Sequence, residues 1–111
     1  MELAQSTCAN ILDTARDITS GDRAATYGDK VENHANIARL WNAHLHNRGL
    51  LRADIPGSVV AELMGLMKFA RMAGPLHHPD NYVDGVGYIA IAGECRAREE
   101  VLKADKQASA K

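Results

Sequence analysis

Two acidic side chains, Asp80 and Asp84, lie four residues apart at the start of the apolar segment 80–95. On a helix this spacing places both carboxylates on one face, where like charges repel by about 0.2–0.5 kcal/mol. The helix dipole by itself can explain Asp80, but Asp84 lies beyond the first turn, where that effect has faded. Carboxylates that enter a buried helix need a cation or a metal ion as a partner. The pattern therefore predicts either a metal site or an ion pair.

Two basic side chains, Lys68 and Arg71, share one face of the preceding helical segment and border its apolar side. Long basic side chains in that position usually extend to water. They can also hold phosphate groups or neutralise Asp80 and Asp84. The short connection 74–78 makes the two helices antiparallel neighbours, so we expect the four charges to face one another across a cleft.

The segment 20–29 is predicted to be a loop, because Gly21 and Gly28 permit backbone conformations that other residues avoid. Between the glycines lie an acid–base pair that includes Arg23 and one aromatic residue, Tyr27. An ordinary solvated connection between helices is one interpretation. The other is a binding loop, since loops held by a rigid scaffold are where binding groups concentrate.

Apolar residues recur at three- and four-residue spacing, and few residues are aromatic, which favours closely packed helices over a β-sandwich. We predict an all-α, four-helix bundle-like single domain over residues 1–98, followed by a frayed C-terminal tail over residues 99–111. The predicted helices run from about Glu2 to Thr19, Lys30 to His46, just after Asp54 to Met72, and Asp80 to Arg98.

Four polar residues are explained by helix geometry rather than by chemistry. Asp29 is a natural N-cap of the second helix, and Glu32 completes a pair resembling a capping box. Both point away from the apolar arc, so capping is favoured over a metal-binding Asp-x-x-Glu pair. His34 lies within that arc and is predicted to be a hydrogen-bonded core residue. Asp54 is predicted to cap the third helix.

The formal charge of −1 gives no general attraction to nucleic acid or to an anionic membrane. Cys8 and Cys95 match no metal or redox spacing, so we interpret both as reduced core residues of a cytoplasmic protein. No signal peptide or membrane-spanning run is recognisable. The apolar fourth helix needs more cover than three amphipathic helices provide, which predicts a homo-oligomer in which a second subunit helps to bury it.

Several short motifs resemble an uncharacterised family of small phage and prophage proteins. The motifs are Ile-Thr-Ser-Gly-Asp-Arg at 18–23, Thr-Tyr-Gly-Asp at 26–29, Asn-His at 33–34, Lys-Phe-Ala-Arg at 68–71, Asp-Asn-Tyr-Val-Asp at 80–84 and Gly-Tyr at 87–88. The resemblance covers about residues 11–95. The order of motifs is similar to the nucleotide-modification-associated phage domains. It is more remotely similar to the MazG-like all-α nucleoside triphosphate pyrophosphatases and the dimeric dUTPases.

The remote resemblance implies a helical dimer or tetramer, in the host cytoplasm if phage-encoded, that hydrolyses nucleoside triphosphates with Mg²⁺. Carried onto this sequence, it implies a set of nucleotide- and phosphate-binding residues, namely Arg23, Tyr27, Lys68, Arg71, Asn81 and Tyr88. It also implies metal ligands Asp80, Asp84 and Glu62. The sequence departs from those enzymes, which carry Glu-x-x-Glu and Glu-x-x-Asp pairs, because Glu62 has no Asp three residues later.

Three functions are compatible with these residues. The first is a MazG-like, Mg²⁺-dependent nucleotide pyrophosphohydrolase, for which the sequence assigns no catalytic residue. The second is a non-catalytic binder of a nucleotide or a cyclic-nucleotide signal, which needs the basic groups but no water-activating acids. The third is a structural helical interaction module whose polar motifs are only caps and interhelical ion pairs.

Overall fold

The computed structural model describes residues 1–20 and 28–110, and within them all regular structure is helical. Its four α-helices are α1 (Cys8–Ser20), α2 (Lys30–Asn47), α3 (Gly57–Met72) and α4 (Pro79–Ser109), preceded by one 3₁₀ turn (Leu3–Gln5). The predicted all-α class and four helices are confirmed.

Helix α4 organises the domain, because it packs against each of the other three helices. Among the larger interfaces that the described residues form, α2 packs only on α3 and α4. Its 31 residues correspond to about 46 Å of helix, which accounts for most of the longest dimension of 56 Å. The buried apolar side chains are small, which allows the helices to approach closely. They are Ala15, Ala38, Val60, Ala61, Val83, Ala92 and Cys95.

Helix α1 begins at Cys8, so the predicted start near Glu2 is wrong. The Thr7 hydroxyl oxygen accepts from the backbone N–H of Asn10 at 3.2 Å, and the Asn10 amide donates to the Gln5 carbonyl at 2.9 Å. A threonine in this position satisfies a free N–H of the first turn and so fixes where the helix starts. Cys8 is therefore the first helical residue and is exposed, which corrects its interpretation as a core residue.

Helix α2 begins as predicted. The Asp29 carboxylate accepts from the backbone N–H of Val31 at 2.8 Å, which confirms the cap. Gly28 precedes it with φ of 81°, a left-handed conformation that a side chain would strain. His34 is buried with 8% of its surface exposed, and its Nδ1 lies 2.7 Å from the Lys30 carbonyl, so the predicted hydrogen-bonded core histidine is also confirmed.

Helix α3 is capped from another helix, and the prediction that Asp54 caps it is wrong. Asp54 instead pairs with His46 Nε2 at 2.7 Å, and the N-cap position is held by Pro56, whose side chain makes no cap hydrogen bond. The Glu99 carboxylate of α4 takes this role. Its two oxygens accept from the Ser58 backbone N–H at 3.0 Å and from the Ser58 hydroxyl at 2.6 Å.

Gly57, the first residue of α3, lies directly against α2. A Cβ atom placed there would lie 3.0 Å from the backbone nitrogen of Ala35 and 3.1 Å from the carbonyl carbon of His34. Only glycine allows this approach without a backbone shift. The contact brings the beginning of α3 beside the middle of α2.

Helix α4 begins with Pro79 in its first turn, as predicted, and continues to Ser109, where the sequence predicts a frayed tail after Arg98. Its side chains from residue 100 onward are all exposed. The first half is only partly buried by this chain, since Ile89 is 53% exposed. Burial by a second subunit stays a prediction.

Candidate functional site

A pocket of about 510 Å³ lies where the end of α3 meets the start of α4, and we call it the α3–α4 pocket. Five residues singled out from the sequence line it together: Lys68, Arg71, Asp80, Asn81 and Asp84. The connection between the helices completes the wall, with Gly74, Pro75, Leu76 and His78. The short antiparallel turn produces this arrangement, because it brings the last turns of α3 beside the first turns of α4.

The charges of the α3–α4 pocket are partly neutralised by one ion pair. Lys68 Nζ lies 3.0 Å from Asp84 Oδ2, with 12% of the lysine side chain and 34% of the aspartate side chain exposed. Asp84 thus has a lysine as its cation, which is one of the two partners that the sequence predicted for it. Arg71 forms no ion pair within the described residues and is exposed, so its guanidinium is available to a ligand.

A second pocket, of about 360 Å³, lies on the other side of Asp84, and we call it the α1–α2–α4 pocket. Three helices and the residue before the α2 cap line it. Helix α1 contributes Ala15, Ile18 and Thr19, and α2 contributes Lys30, Asn33 and His34, with Gly28 just before the cap. Helix α4 contributes Val83, Asp84, Gly87, Tyr88 and Ile91. Apolar walls that carry a few convergent polar groups are typical of small-molecule sites.

Hydrogen bonds fix the polarity of two groups in the α1–α2–α4 pocket. The Lys30 carbonyl can only accept, so the hydrogen of His34 lies on Nδ1, and Nε2 of the neutral ring carries a lone pair. The Thr19 hydroxyl donates to the Ala15 carbonyl at 2.9 Å, which leaves its oxygen lone pairs. Lys30 Nζ is paired with Glu94 at 3.2 Å.

The structure therefore places the candidate residues in two neighbouring pockets rather than one. Tyr88 belongs to the α1–α2–α4 pocket, and Asp84 borders both pockets. Glu62 is exposed on α3 and lines neither pocket. Arg23 and Tyr27 lie outside the described residues. Sequence reasoning did not assign Thr19, Asn33 or His34 to the site, although all three lie within the motifs that carry the resemblance.

Within residues 1–20 and 28–110, no three His, Cys, Asp or Glu side chains are grouped so that they could hold a metal ion. Mg²⁺ requires near-ideal octahedral geometry, commonly from one or two carboxylates together with substrate phosphates. Among the residues that the structure describes, Asp80 and Asp84 are the acids on the α3–α4 pocket wall, and Asp84 already binds the Lys68 ammonium.

Cys95, which lies on the second half of α4, is not a candidate nucleophile. Burial raises the pKa of its thiol, and the nearby carboxylates of Glu99 and Glu94 raise the pKa further. A raised pKa keeps the thiol protonated and unreactive near neutral pH. Its burial confirms the core role predicted for it.

Comparison with known proteins agrees with the motif-based resemblance at its coarsest level. A family model described as a domain of unknown function, DUF6378, matches residues 10–96, which is most of the chain. The chain belongs to the DUF6378 family. No solved structure matches it. In addition, none of the helices in the described part of the chain combines the length and apolar character needed to cross a membrane.

Two curated relatives of this DUF6378 chain come from phages. The Gene 55 protein of Mycobacterium phage L5 is 38% identical over 91 residues, which are 82% of this chain and 55% of that protein. The Gene 55 protein of Mycobacterium phage D29 is 38% identical over 79 residues, which are 71% of this chain and 48% of that protein. The chain thus spans about half the length of these relatives. The predicted likeness to an uncharacterised phage family is confirmed, whereas the family model and these relatives do not show a link to MazG-like enzymes.

Proposed function

We propose that this DUF6378 protein binds a nucleotide or a nucleotide-derived small molecule without hydrolysing it. One observation carries the proposal. One pocket of about 360 Å³ is lined by residues that are distant in sequence and come from different motifs of the family resemblance, among them Thr19, Asn33, Asp84 and Tyr88. That volume and its mixture of apolar walls and convergent polar groups suit a small ligand.

The chemistry of the two pockets supports a nucleotide rather than an uncharged ligand. The Tyr88 ring, with the apolar side chains of Ile18 and Ile91, offers the α1–α2–α4 pocket a surface for the faces of a base. On the other side of Asp84, Arg71 offers a planar guanidinium that can hold a phosphate group with two parallel hydrogen bonds. In this arrangement the base lies in the α1–α2–α4 pocket and the phosphate lies in the α3–α4 pocket.

Binding is favoured over hydrolysis because, of the three predicted metal ligands, one is already paired and another lies away from both pockets. Asp84 is paired with Lys68, and Glu62 lies away from both pockets. The predicted Mg²⁺ would then have to arrive with the ligand phosphates. Asp80 and the Oδ1 atom of Asp84, which the lysine pair leaves free, would hold it. We therefore propose the metal-dependent, MazG-like hydrolase only as the alternative that the following experiment separates.

The test is a thermal-melt panel of nucleoside monophosphates, triphosphates and cyclic nucleotides, each measured with and without Mg²⁺ and followed by mass spectrometry. A bound ligand at 100 times its Kd adds about 2.7 kcal/mol of stability, which a melt detects. We expect at least one nucleotide to raise the melting temperature without Mg²⁺ and to be recovered unchanged. Mg²⁺-dependent turnover would instead establish the hydrolase, and a melt that ignores every nucleotide would reject nucleotide binding.

A matched pair of arginine variants tests whether Arg71 binds the phosphate group of the ligand. Arg71→Gln removes the guanidinium from the α3–α4 pocket, and Arg98→Gln makes the same change at an exposed position that lines neither pocket. We expect Arg71→Gln to weaken a nucleotide more than the corresponding nucleoside, while Arg98→Gln leaves both unchanged. Equal losses for nucleotide and nucleoside would show that Arg71 does not bind the phosphate.

A further inference from the structure

Three side chains on the α1–α2–α4 pocket wall, those of His34, Thr19 and Asp84, can offer acceptors to a ligand. The His34 ring has the least freedom to change its hydrogen bonds. Only 8% of the residue is exposed, and its Nδ1–H donates to the Lys30 carbonyl. In the described part of the chain, no buried side-chain nitrogen or oxygen lacks a partner, and no partner is found there for Nε2. Within the described residues Nε2 is therefore available as an acceptor, and the space that His34 borders is this pocket.

Two more acceptors face the same space from other helices. The Thr19 hydroxyl has its hydrogen on the Ala15 carbonyl, so towards a ligand its oxygen can only accept. The Asp84 carboxylate can only accept, and the Lys68 ion pair is made through Oδ2. The lysine on this wall, Lys30, is already paired with Glu94. The pocket thus presents acceptors from α1, α2 and α4.

From this arrangement we infer that the α1–α2–α4 pocket selects a base rich in N–H donors, and that guanine is the base it fits best. The inference rests on the proposed nucleotide function and adds the identity of the base. Guanine presents a ring N–H and an amino group on one edge, whereas uracil presents a single ring N–H. The carbonyl oxygen of guanine needs a donor, and the Tyr88 hydroxyl can supply one.

A ligand pair that differs by one amino group tests this directly. Inosine monophosphate is guanosine monophosphate without the 2-amino group, so binding it leaves at least one acceptor of the pocket without a donor. An unpaired buried acceptor costs about 1–3 kcal/mol, which corresponds to a loss of about 5- to 150-fold in affinity. We expect calorimetric titration to give that order: guanosine monophosphate first, inosine monophosphate weaker, and uridine monophosphate weakest.

Two substitutions of His34 separate its two nitrogens. His34→Asn keeps an amide N–H near the position of Nδ1, which can still donate to the Lys30 carbonyl, but removes the acceptor at Nε2. His34→Gln does the reverse, because its longer amide reaches the Nε2 position. We expect His34→Asn to weaken guanosine monophosphate binding by about 5- to 150-fold and His34→Gln to restore part of it. His44→Asn, at an exposed position of the same helix, is the control.

Thr19→Val keeps the inference testable if neither His34 variant folds, since valine preserves the shape of threonine and removes the acceptor. We expect it to reduce the preference for guanosine over inosine monophosphate or to weaken both ligands. Equal binding of all three monophosphates, or unchanged affinity in His34→Asn and Thr19→Val, would overturn the base assignment and leave the proposed function intact. If no nucleotide binds at all, the proposed function and this inference both fail.

Discussion

Two acids on α4, Asp84 and Glu99, lie about four turns apart and have opposite roles. Both are half-buried, and both bind a group on α3. Glu99 uses both of its carboxylate oxygens on Ser58, whereas Asp84 is joined to Lys68 through Oδ2 alone. A carboxylate whose oxygens are all engaged holds the fold together. A carboxylate with an oxygen to spare, at the border of two pockets, can also bind a ligand.

Replacing Glu99 should have the largest effect on stability. Glu99→Ala leaves the buried N–H and hydroxyl of Ser58 without their partner, and each unsatisfied group costs about 1–3 kcal/mol. We expect the free energy of unfolding to fall by about 2–4 kcal/mol in urea denaturation. Glu100→Ala, which breaks only the exposed pair with Arg96, should change it by less than about 0.5 kcal/mol. Equal effects of the two substitutions would contradict the interhelical cap.

Replacing Asp84 should have a smaller effect on stability and a clear effect on binding. Asp84→Asn leaves the Lys68 ammonium, only 12% exposed, without its counter-charge. Because Asp84 itself is one-third exposed, we expect a loss of about 1–2 kcal/mol, between the values for surface and buried pairs. A double-mutant cycle with Lys68→Met should show a coupling energy of at least about 0.5 kcal/mol. Additive losses in the cycle would mean that the ion pair contributes nothing.

The Asp29 cap should affect stability alone. Asp29→Ala removes the acceptor of the Val31 N–H and should cost about 0.5–2 kcal/mol in thermal or urea unfolding. Ligand affinity should then change little wherever the protein stays folded, because Asp29 does not line either pocket. Full stability with abolished binding would assign Asp29 to the site instead.

Cys95 reports on the second half of α4, and the exposed Cys8 of α1 serves as the reference for thiol labelling. Near neutral pH a thiol reagent should label exposed Cys8 quickly and leave Cys95 unlabelled, since burial raises the pKa of Cys95 and excludes the reagent. A Cys8→Ser protein should keep its stability within about 0.5 kcal/mol and lose the fast labelling. In that background, Glu99→Ala should expose Cys95 to labelling, and Asp84→Asn should not. Equal labelling of Cys95 in both variants would remove the distinction between the two acids.

Local features of the fold were predictable from the sequence because their causes lie within a few residues. The Asp29 cap, Pro79 in the first turn of α4 and the end of α3 at Met72 each follow from neighbouring residue types. The start of α3 was not predictable in this way. Its cap is Glu99, which is 41 residues from Ser58. Several glutamates follow one another on α4, and the helical periodicity does not distinguish Glu99 from the others as the partner of Ser58.

The candidate site was predictable to a similar extent. The spacing of Lys68, Arg71, Asp80 and Asp84 on two helices joined by a short turn predicts one cleft, and these residues do line one pocket. The second pocket depends on how α1 and α2 pack across α4, which is a tertiary property. For the same reason, spacing alone could not choose between a metal ion and Lys68 as the partner of Asp84.

The hydrogen bonds between Glu99 and Ser58 also constrain the order in which the domain can form during synthesis. The chain is made from its N-terminus, so the start of α3 emerges well before the residue that satisfies it. Until Glu99 follows, Ser58 and the free N–H groups beside it must stay solvated, and the packing of α3 on α2 at Gly57 is incomplete. The family match ends at residue 96. A protein cut at that boundary would retain every motif yet lack the residue that completes its fold.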